Sequence, residues 1–280
     1  MTEQRKVLII DCADSTGLIA KITNICFEHK LNIIRNDEFV DSEHNRFFMR
    51  TELEGTFVDN EIIMQLTKTL PTNANIRLVE TDRKKIVLMV TREPHCLGEL
   101  LMKSLYGSLN AEIVAVIGNY DTLQGLTEKF DIPFHHITHK DVDRETHEQQ
   151  IKNVIDRYKP EYLVLAKFMR ILTEGFVRNY PNKIINIHHS FLPAFVGAKP
   201  YHQAYQRGVK IIGATAHFVN NNLDEGPIIS QDVIPVDHRY SADQMADAGR
   251  HVEESVLTHA LQQVFNEKVL VYGNRTVVFD

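Results

Sequence analysis

Asn186 and His188 lie two residues apart in the run INIHHSFLPAF, which starts at Ile185 and is broken by Pro193. Side chains alternate faces along a strand, so the amide and the imidazole share one face while Ile185 and Ile187 share the other. A strand core has no use for that pair, whereas a chemical site does. A third group stands in NNNLDEGPIIS, where Asp224 and Glu225 precede the turn pair Gly226-Pro227. A carboxylate reaching His188 from such a loop raises the basicity of the imidazole and lets it move a proton. The Asn186 amide can donate to an oxyanion as it develops. Amide, imidazole and carboxylate, with no thiol or elbow serine beside them, suit attack on a carbonyl carbon through a tetrahedral intermediate. Each residue alone reads as a solvated polar group at a strand end. The shared face, the strand end and the loop carboxylate together favour chemistry.

The elements that must position these groups follow a strand–helix alternation. IVLMV, EIVAVIG, PFHHIT, YLVLAKF and KIINIH read as strands, separated by helices in CLGELLMKSLYGSL, DTLQGLTEKF and RETHEQQIKNVIDRY and by a short helix before the last strand. Apolar, β-branched strands in this order predict a Rossmann-like α/β domain with a mostly parallel, buried sheet. Ligands of such sheets bind beyond the carboxyl ends of the strands, which is where Asn186 and His188 fall. GATAHFV and PIISQDVIPV then read as strands, Ser241 to Asn266 as a long helix, and VLVYGNRTVVF as a closing hairpin around Gly273-Asn274. The first eighty residues differ: KVLIID, a helix over STGLIAKITNICFEHK, two strands, a helix over FVDNEIIMQLTKTL and the strand NIRLVE give β-α-β-β-α-β, a ferredoxin-like α+β domain. Asp14 or Ser15 is expected to cap its first helix. The polar stretch TDRKK serves as linker, which divides the chain into domains 1–83 and 84–280.

Composition narrows the partners. The 280 residues carry a net charge of -6, with 43% hydrophobic and 24% charged residues. An acidic chain argues against a nucleic-acid or anionic-membrane partner, and no apolar run is long enough to span a bilayer. Three cysteines, Cys12, Cys26 and Cys96, include no C-x-x-C pair, and the N-terminus has no signal-peptide core, so a cytoplasmic location is expected. Cys96 reads as a packing residue. Fourteen histidines invite a metal reading, but neighbours such as His188 and His189 point to opposite faces, and no metal is expected.

The segments LVLAKFMRIL, INIHHSFLPAF and LDEGPII resemble the formyltransferase family that uses 10-formyltetrahydrofolate. The resemblance makes Asn186, His188 and Asp224 the catalytic residues, and Phe168, Met169, Arg170, Ile171 and Leu172 the segment whose backbone holds the pterin. His189 departs from the pattern, since a proline usually follows the motif histidine. HHSFLPAFVGAKPYHQA, together with the N-terminal domain, is closer to the hydrolase branch of that family. This implies hydrolysis of 10-formyltetrahydrofolate to formate and tetrahydrofolate, supplying formate for purine synthesis and balancing one-carbon folate pools. The folate is then substrate, and no cofactor is needed. DCADSTGLIAKITNICFEHKLNI resembles an ACT domain, in which the turn Asp14, Ser15, Thr16, Gly17, Leu18 would meet an amino-acid effector, glycine or methionine. Pairing of ACT domains implies a homo-oligomer. Two other readings stay open: a formyltransferase with an amine acceptor such as glycinamide ribonucleotide, and a non-catalytic folate or amino-acid sensor. REPHCLG weighs against the first, because Glu93 is expected to repel a phosphate and Pro94 has no N–H to offer it. Lys199 is a candidate for a polyglutamate tail or for closing over the site, or else a solvated loop lysine.

Overall fold

The computed structural model describes residues 4–194 and 200–279, so Lys199 lies outside the described residues. The chain divides into two compact units. The first holds the chain up to Asp82 together with Asn266–Leu270 and the terminal residues from Val277. Its elements are β1 (Gln4–Ala13), α1 (Leu18–Glu28), β2 (Asn32–Asp41), β3 (Arg46–Gly55), α2 (Asp59–Thr69) and β4 (Asn75–Glu80). The sheet order is β2-β3-β1-β4, and all its pairings are antiparallel. The apolar face of α1, Leu18, Ile22, Ile25 and Cys26, meets Ile62 and Leu66 of α2 and the inward residues of β1 and β3 in one core. Neither Asp14 nor Ser15 caps α1, contrary to the sequence expectation. The N-cap is Gly17, without a side-chain cap, because the turn is held instead by the Asp14 N–H donating to the Asn45 carbonyl at 3.0 Å. The chain end is tied to this unit by buried Arg50, which donates to the carbonyls of Asn266 and Glu267, each at 2.9 Å.

The second unit runs from Arg83 to Phe265 and includes Val271–Thr276. It contains β5 (Lys84–Val90), α3 (His95–Leu105), β6 (Ala111–Gly118), α4 (Gln124–Glu128), β7 (Phe134–His136), α5 (Arg144–Tyr158), β8 (Tyr162–Leu165), α6 (Glu174–Val177), β9 (Ile184–His188), α7 (Pro200–Arg207), β10 (Ile211–Phe218), β11 (Ile228–Pro235) and α8 (Ala242–Phe265). A hairpin of β12 (Val269–Tyr272) and β13 (Arg275–Val278) closes the chain. The seven-stranded sheet has the order β11-β10-β9-β8-β5-β6-β7. Its β5, β6, β7, β8 and β9 pairs are parallel, and β10 and β11 are added antiparallel. Ile86 to Val90 are fully buried, as a central parallel strand requires. The chain starts at β5 and winds outward both ways, so strand order reverses beside β5, where sheets of this kind open a ligand crevice. No described helix is long and apolar enough to cross a membrane.

Candidate active site

β9 buries Ile184, Ile185 and Ile187 and carries Asn186 and His188 to its carboxyl end. Antiparallel pairing with β10 sets His217 opposite Asn186 and Thr215 opposite His188. His217 was not distinguished by the sequence reading, yet it is 2% exposed and at the heart of the site. Its Nδ1 lies 2.9 Å from the Phe218 carbonyl, which only accepts, so Nδ1 carries the proton and Nε2 is left as an acceptor. Asn186 Nδ2 sits 3.2 Å from that Nε2 and donates to it. This fixes which way the Asn186 amide faces and leaves its second N–H for another acceptor. Burial lowers the His217 pKa, which keeps the ring in the neutral form this arrangement needs.

Asp224 arrives from the loop between β10 and β11. A Cβ on Gly226 would lie 1.8 Å from the Phe218 carbonyl oxygen, so only glycine lets the loop press this closely on the end of β10. Asn274 and Asn220 brace the same loop through the Glu225 carbonyl. Asp224 Oδ2 thereby reaches His188 Nδ1 at 3.3 Å, and its Oδ1 lies 3.8 Å from His217 Nε2. Burial acts to raise the Asp224 pKa, but the hydrogen bond from His188 opposes it, and the carboxyl is held below its ordinary value. With Nδ1 on the carboxylate, His188 Nε2 is free to accept a proton. That nitrogen is buried and has no hydrogen-bond partner among the described residues. Thr215 pins the chain beyond His188: its hydroxyl donates to the Ser190 carbonyl at 2.9 Å and accepts from the Leu192 N–H at 3.0 Å.

The three residues line a cavity of about 330 Å³. Phe168, Met169, Arg170, Ile171 and Leu172 form one wall, and Val219 to Leu223 form another. Phe168 is anchored in the core at 2% exposure, while Met169 and Ile171 stand exposed and form an apolar rim. All eight residues that the sequence marks for catalysis and folate holding therefore meet at one cavity. Asp14 to Leu18 belong to the other unit, where Ser15, Thr16 and Gly17 are exposed and Leu18 is packed into the core.

Residues 84–261 match the formyl transferase family model, and residues 6–70 match the ACT domain model. The formyltetrahydrofolate deformylase of Escherichia coli (strain K12) is 60% identical over 275 residues, 98% of each chain. That of Bacillus subtilis (strain 168) is 40% identical over 99% of this chain and 95% of its own. The crystal structure of a formyltetrahydrofolate deformylase from Pseudomonas syringae pv. tomato superposes with a TM-score of 0.95 at 39% identity, over 99% of this chain and 95% of that one. The chain belongs to the formyltetrahydrofolate deformylase family. A phosphoribosylglycinamide formyltransferase from Coxiella burnetii, 27% identical, superposes over 70% of the chain with a TM-score of 0.65, so the second unit shares its fold with transferases.

Within this deformylase-family site, a second polar cluster adjoins the cavity. Glu253 of α8 is fully buried, and its Oε2 lies 2.8 Å from His95 Nε2 and 3.1 Å from Lys167 Nζ. Its Oε1 accepts from the Tyr201 hydroxyl at 2.7 Å. Burial alone would raise the Glu253 pKa. The His95 hydrogen bond, the Lys167 charge and Tyr201 instead hold it at about 2. Glu93, expected to repel a phosphate, stands among basic side chains. Its carboxylate lies 3.7 Å from His95 and faces Lys167 at 3.9 Å and Arg250 at 4.0 Å, and those last two cations partly offset it. Among the described residues one group, His95, Cys96 and Glu253, has metal-ligating types close together. Its donors do not fit a metal: Lys167 already occupies the cation position at Glu253, and burial pushes the Cys96 thiol well above its usual pKa.

Proposed function

We propose that Asn186, His188 and Asp224 carry out the hydrolysis of 10-formyltetrahydrofolate to formate and tetrahydrofolate in this cavity. The observation that carries the assignment is His188 Nε2, buried, unpartnered among the described residues and backed by a carboxylate on Nδ1. The pterin lies against the backbone of Phe168 to Leu172, with Met169 and Ile171 covering its ring. A water between His188 Nε2 and Asp224 attacks the formyl carbon and gives its proton to Nε2, and the imidazolium formed is stabilised by Asp224. The carbonyl oxygen becomes an oxyanion and takes the free N–H of Asn186, whose orientation His217 has already fixed. The C–N bond to the folate then breaks, and His188 returns the proton to the departing nitrogen. No metal or cofactor takes part in these steps, and the folate is substrate throughout.

We place the reaction in the cytoplasm, with its formate available to purine synthesis. The ACT unit would bind glycine or methionine at Asp14 to Leu18 and pair the chain into a homo-oligomer. Incubation with 10-formyltetrahydrofolate and no acceptor tests the catalytic reading: formate and tetrahydrofolate should appear in equal amounts, and glycinamide ribonucleotide should not alter them. Efficient formylation of that amine would refute it. A chain starting near Arg83 tests the effector: both amino acids should change the full chain's rate and leave the shorter one unaffected, with assembly state measured alongside.

A further inference from the structure

Hydrolysis needs an explanation, because water is a poor nucleophile and the shared fold also serves transferases with amine acceptors. The reversal of strand order beside β5 places the natural ligand crevice between the ends of β5 and β8. Glu93 and His95 follow β5, and Lys167 follows β8. A second substrate approaching the formyl carbon through that crevice would meet them. Glu253 reaches the same place from α8 and binds His95 and Lys167, while Tyr201 covers its other oxygen. Lys167 and His189 also line the folate cavity, and the His189 ring lies 5.3 Å from that of His188 and 6.1 Å from that of Tyr201. The cluster is thus continuous with the catalytic residues.

A device in α8 makes room for it. Gly249 lies one turn before Glu253, and a Cβ there would stand 2.1 Å from the Tyr201 hydroxyl oxygen. Glycine at this position lets the Tyr201 ring cross the helix and reach Glu253. Both Glu253 oxygens, His95 Nε2, the Lys167 ammonium and the Tyr201 hydroxyl are consequently committed to one another, while His95 Nδ1 is turned toward Glu93 at 3.7 Å. The Lys167 ammonium, which an anionic acceptor would need, is paired with Glu253 and faces Glu93.

We propose that the closed cluster of Glu253, His95, Lys167 and Tyr201 fills the acceptor crevice and restricts the formyl acceptor to water. Tyr201 and His95 are its specificity-determining side chains. The inference rests on the hydrolase reading. When the crevice is opened, an amine nitrogen forms the new bond to the formyl carbon. The bond to the folate nitrogen breaks, and His188 carries the amine proton to that nitrogen. The products are a formamide and tetrahydrofolate.

The test supplies 10-formyltetrahydrofolate and glycinamide to the full chain and measures N-formylglycinamide against formate. Wild-type protein should give formate alone. Tyr201→Ala should form N-formylglycinamide at least about ten-fold above the wild-type background, the discrimination that one missing pocket group typically removes. Tyr201→Phe, which keeps the ring and loses only the hydroxyl, should stay selective for water. His95→Ala opens the crevice from the opposite side of Glu253 and decides the matter alone if Tyr201→Ala does not fold. Folded variants that hydrolyse the folate yet never formylate glycinamide would overturn the proposal, as would equal transfer by Tyr201→Phe and Tyr201→Ala. Loss of formate release by wild-type protein without amine would instead strike the hydrolase reading, so the two failures are distinguishable.

Discussion

Two buried polar clusters stand side by side in the second unit, and they differ in how completely they are satisfied. Around Glu253 both carboxylate oxygens are taken, by His95 and Lys167 on one and Tyr201 on the other. Around Asp224 the chain of partners stops short: His188 Nε2 has none among the described residues, and Asn186 keeps an N–H in reserve. A buried imidazole nitrogen without a partner costs stability; His95 Nδ1 carries that cost 3.7 Å from the Glu93 carboxylate, whereas His188 carries it on the wall of the folate cavity. The difference separates a cluster that shapes space from one that awaits a ligand.

The sharpest way to break the comparison is Asp224→Asn. It keeps the size of the side chain and removes the charge that stabilises a protonated His188. The rate should fall by at least ~10²–10³-fold, comparable to removal of an oxyanion donor, while folate binding measured at equilibrium survives. Retention of a tenth of the wild-type rate would remove Asp224 from the mechanism. Asn186→Ala and His188→Ala should be similarly inactive, and combining them should add little, because the residues act as a unit.

His217→Phe comes next. It removes the acceptor that turns the Asn186 amide and leaves Asp224 against His188. A loss of about ten- to a hundred-fold in kcat with KM little changed is expected, since an oxyanion contact is loosened and no folate contact is lost. An unchanged kcat would mean that Asn186 holds its orientation without His217.

These two residues also show what could be read from the chain. Asn186 and His188 were legible because a period-two strand pattern puts them on one face, and Asp224 because a Gly-Pro turn marks its loop. The ACT-like unit was legible from the order of its helical and strand periodicities. His217 was not, because its meeting with Asn186 depends on the register between antiparallel β9 and β10, which no local pattern encodes. Lys167, Glu253 and Tyr201 were not legible as a cluster either. They come from a strand end and two helices, and their juxtaposition is a product of winding order. The surroundings of Glu93 were not legible for the same reason: its charge is written in the sequence, but Lys167 and Arg250, which approach it, lie far along the chain. The cap of α1 failed because a backbone bond from Asp14 to Asn45 replaces the expected side-chain cap.

Gly249→Ala probes the closed cluster in isolation. Alanine favours the helix by about 1 kcal/mol over glycine. Its Cβ would collide with the Tyr201 hydroxyl, and displaced packing of this kind costs about 1–3 kcal/mol on its own, with the Glu253 hydrogen bond lost besides. A net loss of about 1–2 kcal/mol is therefore expected in thermal or denaturant unfolding. Hydrolysis should stay within a few-fold of wild type, since the catalytic cluster is not touched. Unchanged stability would show that Tyr201 is not wedged against α8.

The smallest expected effect is a pH dependence that belongs to the boundary between the clusters. Burial, reinforced by Lys167 and His188, lowers the His189 pKa from 6.5 to about 4, although Glu253 and Asp224 pull it upward. Between those values the unfolded chain binds more protons at this residue than the folded one. The resulting stability is complete above the unfolded pKa and is lost as pH falls from about 6.5 toward 4. The share from this one group is about 1 kcal/mol at ~pH 5.5 by the usual conversion of pKa shifts into free energy. Glu253 acts in the same direction in a lower window, between 4.5 and about 2, where its buried carboxylate must be protonated. His189→Phe should therefore flatten the fall of unfolding free energy between neutral pH and about pH 5.5 by roughly that ~1 kcal/mol and leave the steeper loss at lower pH in place. Lowered pKa values at His217, His147, His135 and His139 keep a residual slope in the variant. A slope identical to wild type would mean that His189 titrates outside this window.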